Sequence, residues 1–341
     1  MLTHPTILET PTHVLRSVTH RVRETVRTQT QGDYHDVTFR AMSTPVRICF
    51  AQQMLPLASD FQRAIVEWIA HFEARYSRFI PETIVGQINA SAGNGEWMEV
   101  DEETDELLGL CAQMHELSGG AFDAATLPLL RLWDWKAQPP RLPDLAAFSA
   151  ARDLCGWDKV ERRPGSIRLP SPGMGIDLGG IGKEFAVDRI MDMAQERGIS
   201  SILVDIGHDL RVRGHGPGKD AWYIGLEEPD QPGRCWTCLR LTDHAVATSG
   251  DYLRSFTLNG RRYGHILDAR SGAPVSNACQ AVTVVAPTCT LAGILSTAAF
   301  VLGADEGLGL IHRHGIEGVE ACITTDSARH QTRRFSRHVP V

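Results

Sequence analysis

The chain has 341 residues, 43% of them hydrophobic and 22% charged, a composition typical of a globular protein with ample core. A net charge of −7 and a pI near 6.1 argue against a dedicated nucleic-acid binder, which would be basic. No apolar run reaches the roughly 18 residues that a transmembrane helix needs.

Residues 1–35 are polar and carry Arg16, Arg21, Arg23 and Arg27. They show neither the apolar stretch of a secretory signal nor an early cysteine for lipid attachment, so a cytoplasmic protein is expected. The segment reads as an extension or edge strand with solvated charge. Phe39 to Phe50 alternates and reads as one strand. Phe61, Ile65, Trp68, Ile69, Phe72 and Tyr76 recur at helical spacing, which predicts an amphipathic helix over 60–76. Asp101 is placed to cap a helix with Glu102, Glu103 and Asp105 in its first turn, and Gly119-Gly120 ends it. Gln138-Pro-Pro140 and Pro164 to Pro172 mark loops.

A further helix is predicted over about 183–197, then a strand at Ser201–Ile206. More strands follow at Trp222–Leu226, Cys235–Leu241, Arg254–Leu258 and Gln280–Ala286, and a last helix over 290–302. Leu258-Asn-Gly260 is a strong hairpin signal. The eight cysteines are scattered, mostly in apolar segments, as reduced thiols are. Cys235-Trp-Thr-Cys238 is a lone CxxC, a pattern open to zinc or redox use but read here as ordinary strand cysteines. Strands with antiparallel links and interspersed helices make the fold class α+β, with mainly antiparallel sheets and packed helices. No composition break cuts the chain and no repeat recurs.

The segment Met174 to Lys183 sets a carboxylate, a tight glycine turn and a lysine immediately before a helix. Turn amides beside a helix N-terminus make an anion site, with phosphate the usual occupant. It is not a P-loop, because Gly182-Lys183 is followed by Glu184 and Asp177 stands where the first glycine belongs. Gly173, Gly175 and Gly179 have the wrong spacing for a dinucleotide fingerprint, and no strand precedes them.

Eight boxes in order resemble the ApbE-type FAD:protein FMN transferases. They are Ala41-Met-Ser-Thr44, the Ser77 to Asn89 segment, and Ser118-Gly-Gly-Ala-Phe-Asp123 with Pro128-Leu and Leu132-Trp133. Then come Asp177-Leu-Gly-Gly-Ile-Gly-Lys183 with Val187-Asp188, and Val204-Asp-Ile-Gly-His-Asp209. Ala247-Thr-Ser-Gly-Asp-Tyr252, His265-Ile-Leu-Asp-Ala-Arg-Ser-Gly272 and Val282-Thr-Val-Val-Ala-Pro287 complete the set.

The resemblance implies a T-fold-related flavin transferase domain over 36–330, with a tail at 331–341. It implies that FMN passes from FAD to a Thr or Ser hydroxyl of an acceptor protein, that AMP leaves, and that Mg²⁺ assists. It implies FAD contacts at Met42, Phe79, Ala121, Phe122, Asp123, Asp177, Lys183, His265 and Ile266. Met42 and Phe79 are alternatively plain core, and Asp123 alternatively caps the following turn. His265, with Asp268 beside it, is the candidate base for the acceptor hydroxyl, alternatively a phosphate contact or a structural group. Family members are often exported, which makes a periplasmic location the alternative to the cytoplasm.

The same resemblance places metal ligands at the Gly180 carbonyl, at Thr297 and at an aspartate four residues before it. Here Gly293 occupies that aspartate position, and Glu184 and His208 replace glycines. Loss of a hard anionic ligand weakens Mg²⁺ binding. That leaves two alternatives open: FAD binding without transfer, and hydrolysis of FAD to FMN and AMP. Gly293→Asp is expected to restore metal dependence.

Overall fold

The computed structural model describes residues 7–135, 137–251 and 254–340. Tyr252, the last residue of one box, lies outside them, as do the two ends of the terminal segments. The chain forms two compact units, one of Met1–Leu15, Ala74–Gly180 and Leu253–Ser276, the other of Arg16–Glu73, Ile181–Tyr252 and Asn277–Val341.

The second unit is built on a nine-stranded sheet. In spatial order its strands are Arg27–Gln31, Tyr34–Ala41, Thr44–Ala51, Ile202–Ile206, Asp209–Arg213, Ala245–Gly250, Cys279–Ala286, Glu320–Thr325 and Arg329–Gln331. Every neighbouring pair is antiparallel, the α+β arrangement expected. Alternation separates two faces. On one, Cys49, Leu203, Val212, Val246 and Val285 pack with Trp222, Leu226, Leu239 and Leu241 of the hairpin Trp222–Glu228/Gln231–Leu241. On the other, Phe50 meets Phe61 of the helix Leu55–Tyr76 edge-on at 4.9 Å. The helix Cys289–Leu302 packs on the strands Ala245–Gly250 and Cys279–Ala286 and on the helices Gly182–Glu196 and Ala304–His314. Contacts on several sides explain why it is apolar nearly all round.

The first unit holds the helices Ile84–Ala90, Glu102–Leu117, Leu127–Leu132 and Leu145–Asp153 with two small antiparallel sheets. Asp101 caps its helix by accepting the Thr104 amide at 3.1 Å. The hairpin Ser255–Leu258/Arg261–Gly264 turns at Asn259-Gly260, both at positive φ. Tyr263 of that hairpin stacks 6.0 Å from Trp133, and Trp135 Nε1 donates to the Gly264 carbonyl at 2.9 Å.

Two sequence expectations are corrected. Phe39 to Phe50 is not one strand: Ala41 pairs with Thr44 across a two-residue turn. Met42 and Ser43 take φ of +49° and +61°, the signs of a type I′ hairpin turn normally built from Asn-Gly. Met-Ser gave no turn signal. Within residues 1–35, Thr12–Glu24 is a helix, not an extension, because Val14, Val18 and Val22 recur every fourth residue and are buried. The strand Arg27–Gln31 is an exposed sheet edge.

Candidate functional site

In the first unit the glycine turn is held from outside its own sequence. Thr83 caps the helix Ile84–Ala90 by accepting the Gly86 amide at 2.9 Å, and the helix delivers Asn89. The Asn89 carboxamide clamps Ile176: Oδ1 accepts its amide at 2.7 Å and Nδ2 donates to its carbonyl at 3.0 Å. Asp177 follows, and its amide donates to the Ala124 carbonyl at 2.8 Å. Its Oδ1 accepts the Gly179 amide at 3.2 Å and lies 3.5 Å from Arg78 Nε. Burial raises the Asp177 pKa above the ordinary carboxyl value, while Arg78 and the Gly179 amide pull the other way. A Cβ on Gly180 would lie 3.1 Å from the Phe122 ring, so the turn lies close against that ring.

Phe79 is 75% exposed, which removes the core alternative for it, and the Arg78 guanidinium sits 4.7 Å from its ring centroid. Ala121 and Phe122 are buried. The Asp123 side chain is only 3% exposed and turned inward: Oδ1 accepts the Ala125 amide at 2.6 Å and Oδ2 the Trp157 amide at 2.9 Å. Asp123 thus holds the turn that follows it, as the capping alternative expects, and His115 Nδ1 lies 3.3 Å from it. A cleft of about 610 Å³ opens beside it, lined by His115, Asp123, Trp157, Asp158 and Arg270 among others.

His265 is half-buried, and its amide donates to the Arg254 carbonyl at 3.1 Å. The Ile266 carbonyl accepts the Val275 amide at 2.9 Å. Asp268 serves its own turn. It accepts the Arg270 amide at 3.0 Å and holds the Arg270 guanidinium at 2.9 and 3.1 Å. With its oxygens so engaged, Asp268 orders the loop after His265, and the geometry does not present it as a base.

In the second unit Met42 is the apex of the hairpin, and its amide donates to Glu73 Oε2 at 2.9 Å. Glu73 is buried and pairs with Arg21 at 2.8 Å. Two L-residues at positive φ on a two-residue turn are costly, roughly 1 kcal/mol or more each, and such strain is characteristic of functional positions.

Lys183, in the first turn of the helix Gly182–Glu196, forms an ion pair with Asp209. Burial works against its charge, but the Asp209 and Glu184 carboxylates more than offset this, leaving the ammonium pKa above the usual lysine value. Glu184 is only 5% exposed. Its Oε1 is 3.6 Å from Lys183 Nζ, and its Oε2 has no hydrogen-bond partner among the described residues. Burial first, and Asp209 in addition, raise its pKa against the pull of Lys183. A Cβ built on Gly293 would lie 2.5 Å from Glu184 Cγ. Thr297 hydrogen-bonds Ser249 Oγ at 3.0 Å, Ser249 bonds Ser296 at 2.8 Å, and Ser296 donates to the Gly293 carbonyl at 2.9 Å.

Asp188, one turn further along the same helix, accepts the Cys289 and Thr290 amides at 2.9 and 2.8 Å and pairs with Arg211 at 2.8 Å. It thereby caps the helix that carries Gly293 and Thr297, a contact worth about 1–2 kcal/mol. Asn89, Asp188 and Asp209 stand inside the boxes, yet spacing alone assigned them no task. Glu184 was legible only as a departure.

A family model described as the ApbE family matches residues 42–323. The chain belongs to the ApbE family. It is 31% identical to the FAD:protein FMN transferase of Treponema pallidum, over 70% of each chain. It is 27% identical to that of Vibrio cholerae, over 84% of this chain and 86% of the relative. The structure of the ApbE protein of Thermotoga maritima superposes with a TM-score of 0.81 at 31% identity, covering 90% of this chain and all of that one. The flavin transferase ApbE of Vibrio cholerae superposes at 0.79 and 24%, covering 92% and 100%.

Among the described residues no three His, Cys, Asp or Glu side chains cluster to hold a metal ion. Gly293 has no side chain to offer. A carboxyl group is nevertheless present beside it: Glu184 Oε1 lies 3.0 Å from where a Gly293 Cβ would be, and Oε2 of the same group has no partner among the described residues, an oxygen-donor chemistry that fits Mg²⁺. A Cβ at 293 would meet Glu184, so Gly293→Asp requires that side chain to shift.

Proposed function

We propose that this ApbE protein transfers FMN from FAD to a serine or threonine hydroxyl of an acceptor protein, releasing AMP. The reading is carried by membership of the ApbE family over residues 42–323, whose relatives of similar length are FAD:protein FMN transferases. The hydroxyl oxygen attacks the FMN-side phosphorus, the bond from that phosphorus to the bridging oxygen breaks, and AMP leaves with that oxygen. The hydroxyl proton goes to His265, imidazole being a side chain suited to general-base catalysis. The Asp177–Gly180 turn presents backbone groups to the pyrophosphate. Lys183 supplies fixed positive charge, and Phe79 and Met42 offer surface to rings.

When bound, Mg²⁺ neutralises developing phosphate charge. Within the second unit it would find the Thr297 hydroxyl and the Glu184 carboxyl group beside Gly293. Incubation with FAD, Mg²⁺ and a flavin-acceptor protein yields a fluorescent flavinylated band and one AMP per flavin attached. No band with any divalent metal overturns the proposal. The missing side chain at Gly293 favours one rival, FAD binding without transfer, in which FAD affinity is indifferent to Mg²⁺. AMP release without acceptor identifies hydrolysis instead.

A further inference from the structure

The second unit contains a buried carboxyl group with one oxygen left unpartnered among the described residues. Lys183 is matched by Asp209, and Asp188 by Arg211. Glu184 is the second acid on Lys183, its Oε1 3.6 Å from Nζ while Asp209 holds the closer pair. It is 5% exposed, with one oxygen that no donor among the described residues reaches. A buried carboxylate left without a partner is costly, and the cost is relieved by a cation. Its placement is specific. The side chain occupies the volume that any residue larger than glycine at 293 would claim, 2.5 Å from where that Cβ would be. Gly293 and Thr297 are four residues apart on one helix, so they share a face one turn apart. A side chain from the helix Gly182–Glu196 therefore puts its carboxylate over the Gly293 turn of a neighbouring helix.

We propose that Glu184 is a metal-binding residue of this protein, its carboxylate taking a divalent cation such as Mg²⁺ or Mn²⁺ on the face of the Gly293–Thr297 turn. The carboxylate comes from one helix and the glycine on the other makes room for it. Glu184 and Gly293 are thus matched in packing, since a larger residue at 293 would meet the Glu184 side chain. This rests on the proposed metal-assisted transfer for its purpose, but not for its test.

The test is metal binding by the full-length chain with FAD present, after chelation, using Mn²⁺ and its electron spin resonance signal, with calorimetry for Mg²⁺. Glu184→Gln keeps the shape and removes the charge. It is expected to weaken Mn²⁺ binding about tenfold or more, with FAD affinity in the absence of metal unchanged. Gly293→Asp alone is expected to lower Tm through crowding. The double variant Glu184→Gly with Gly293→Asp is expected to recover both Tm and Mn²⁺ affinity, because a carboxylate returns to the same space. Wild-type Mn²⁺ affinity in Glu184→Gln, or no Mn²⁺ binding by the wild type, overturns the assignment. Circular dichroism of each variant separates lost binding from lost folding. If Mn²⁺ binding depends on Glu184 while no acceptor is flavinylated, the site stands and the transfer reading falls. If flavinylation proceeds equally in Glu184→Gln, the transfer reading stands and the site falls.

Discussion

Asn89 holds Ile176 by both ends of one carboxamide, at 2.7 and 3.0 Å, and so fixes the backbone immediately before Asp177. Ile176 is fully buried, so water cannot replace either bond. Asn89→Ala is expected to cost about 2–4 kcal/mol, since a buried donor and acceptor each lose their partner. Asn89→Asp keeps the acceptor but sets an anionic oxygen against the Ile176 carbonyl. It should be more damaging at pH 7 than at pH 4. Urea unfolding at both pH values measures this.

Asp123 is a second internal clamp, with the Ala125 and Trp157 amides on its two oxygens. Burial holds its pKa above the ordinary value, against the opposing pull of the Trp157 and Ala125 amides and of His115. The folded state therefore binds this proton more tightly than the unfolded chain. The contribution is full below the ordinary aspartate pKa and is lost as pH rises through the folded value. Asp123→Asn should be destabilised by about 1–3 kcal/mol, with a larger deficit at pH 4 than at pH 7. An equal deficit at both would contradict the shift.

Met42 and Ser43 occupy the two positive-φ positions of a hairpin turn. Replacing them with Asn-Gly removes strain and should raise stability by about 1 kcal/mol or more. If the Met42 side chain serves FAD, the same variant loses FAD affinity, a trade of activity against stability. A thermal scan and an FAD titration on one preparation read both effects.

Phe79 is 75% exposed, so Phe79→Ala should change stability by less than about 0.5 kcal/mol. A ring that stacks on flavin or adenine predicts a raised KM for FAD with kcat little changed. An unaltered KM would remove Phe79 from the site.

Six cysteines, Cys49, Cys111, Cys155, Cys279, Cys289 and Cys322, are buried, while Cys235 is exposed and Cys238 partly so, all of them free thiols. Burial pushes Cys111 up to about 12 and Cys49 to about 11. At pH 8 a thiol reagent should label Cys235 quickly, Cys238 more slowly, and the rest only on unfolding. Mass spectrometry of the labelled chain reads the order.

The sequence by itself determined what periodicity and punctuation encode. The capped helix after Asp101, the Asn259-Gly260 hairpin, the helix after the glycine turn and the ApbE boxes were all legible. These features depend on residues within a few positions of each other, where propensity and burial pattern agree. The turn at Met42-Ser43 was not legible, because the sheet on either side imposes a backbone its residues would not choose.

Only the tertiary structure decided what the boxes do. It turned Asp123 inward, tied Asp268 to Arg270 and left Phe79 in solvent. It set Asp188 as the cap of a helix a hundred residues away. It also paired Glu184 with Gly293. Read along the chain these are two separate departures, an added carboxylate and a missing one. Read across two packed helices they meet, the Glu184 side chain filling the space that Gly293 leaves, because what a side chain can do depends on where packing sets it and not on which backbone carries it.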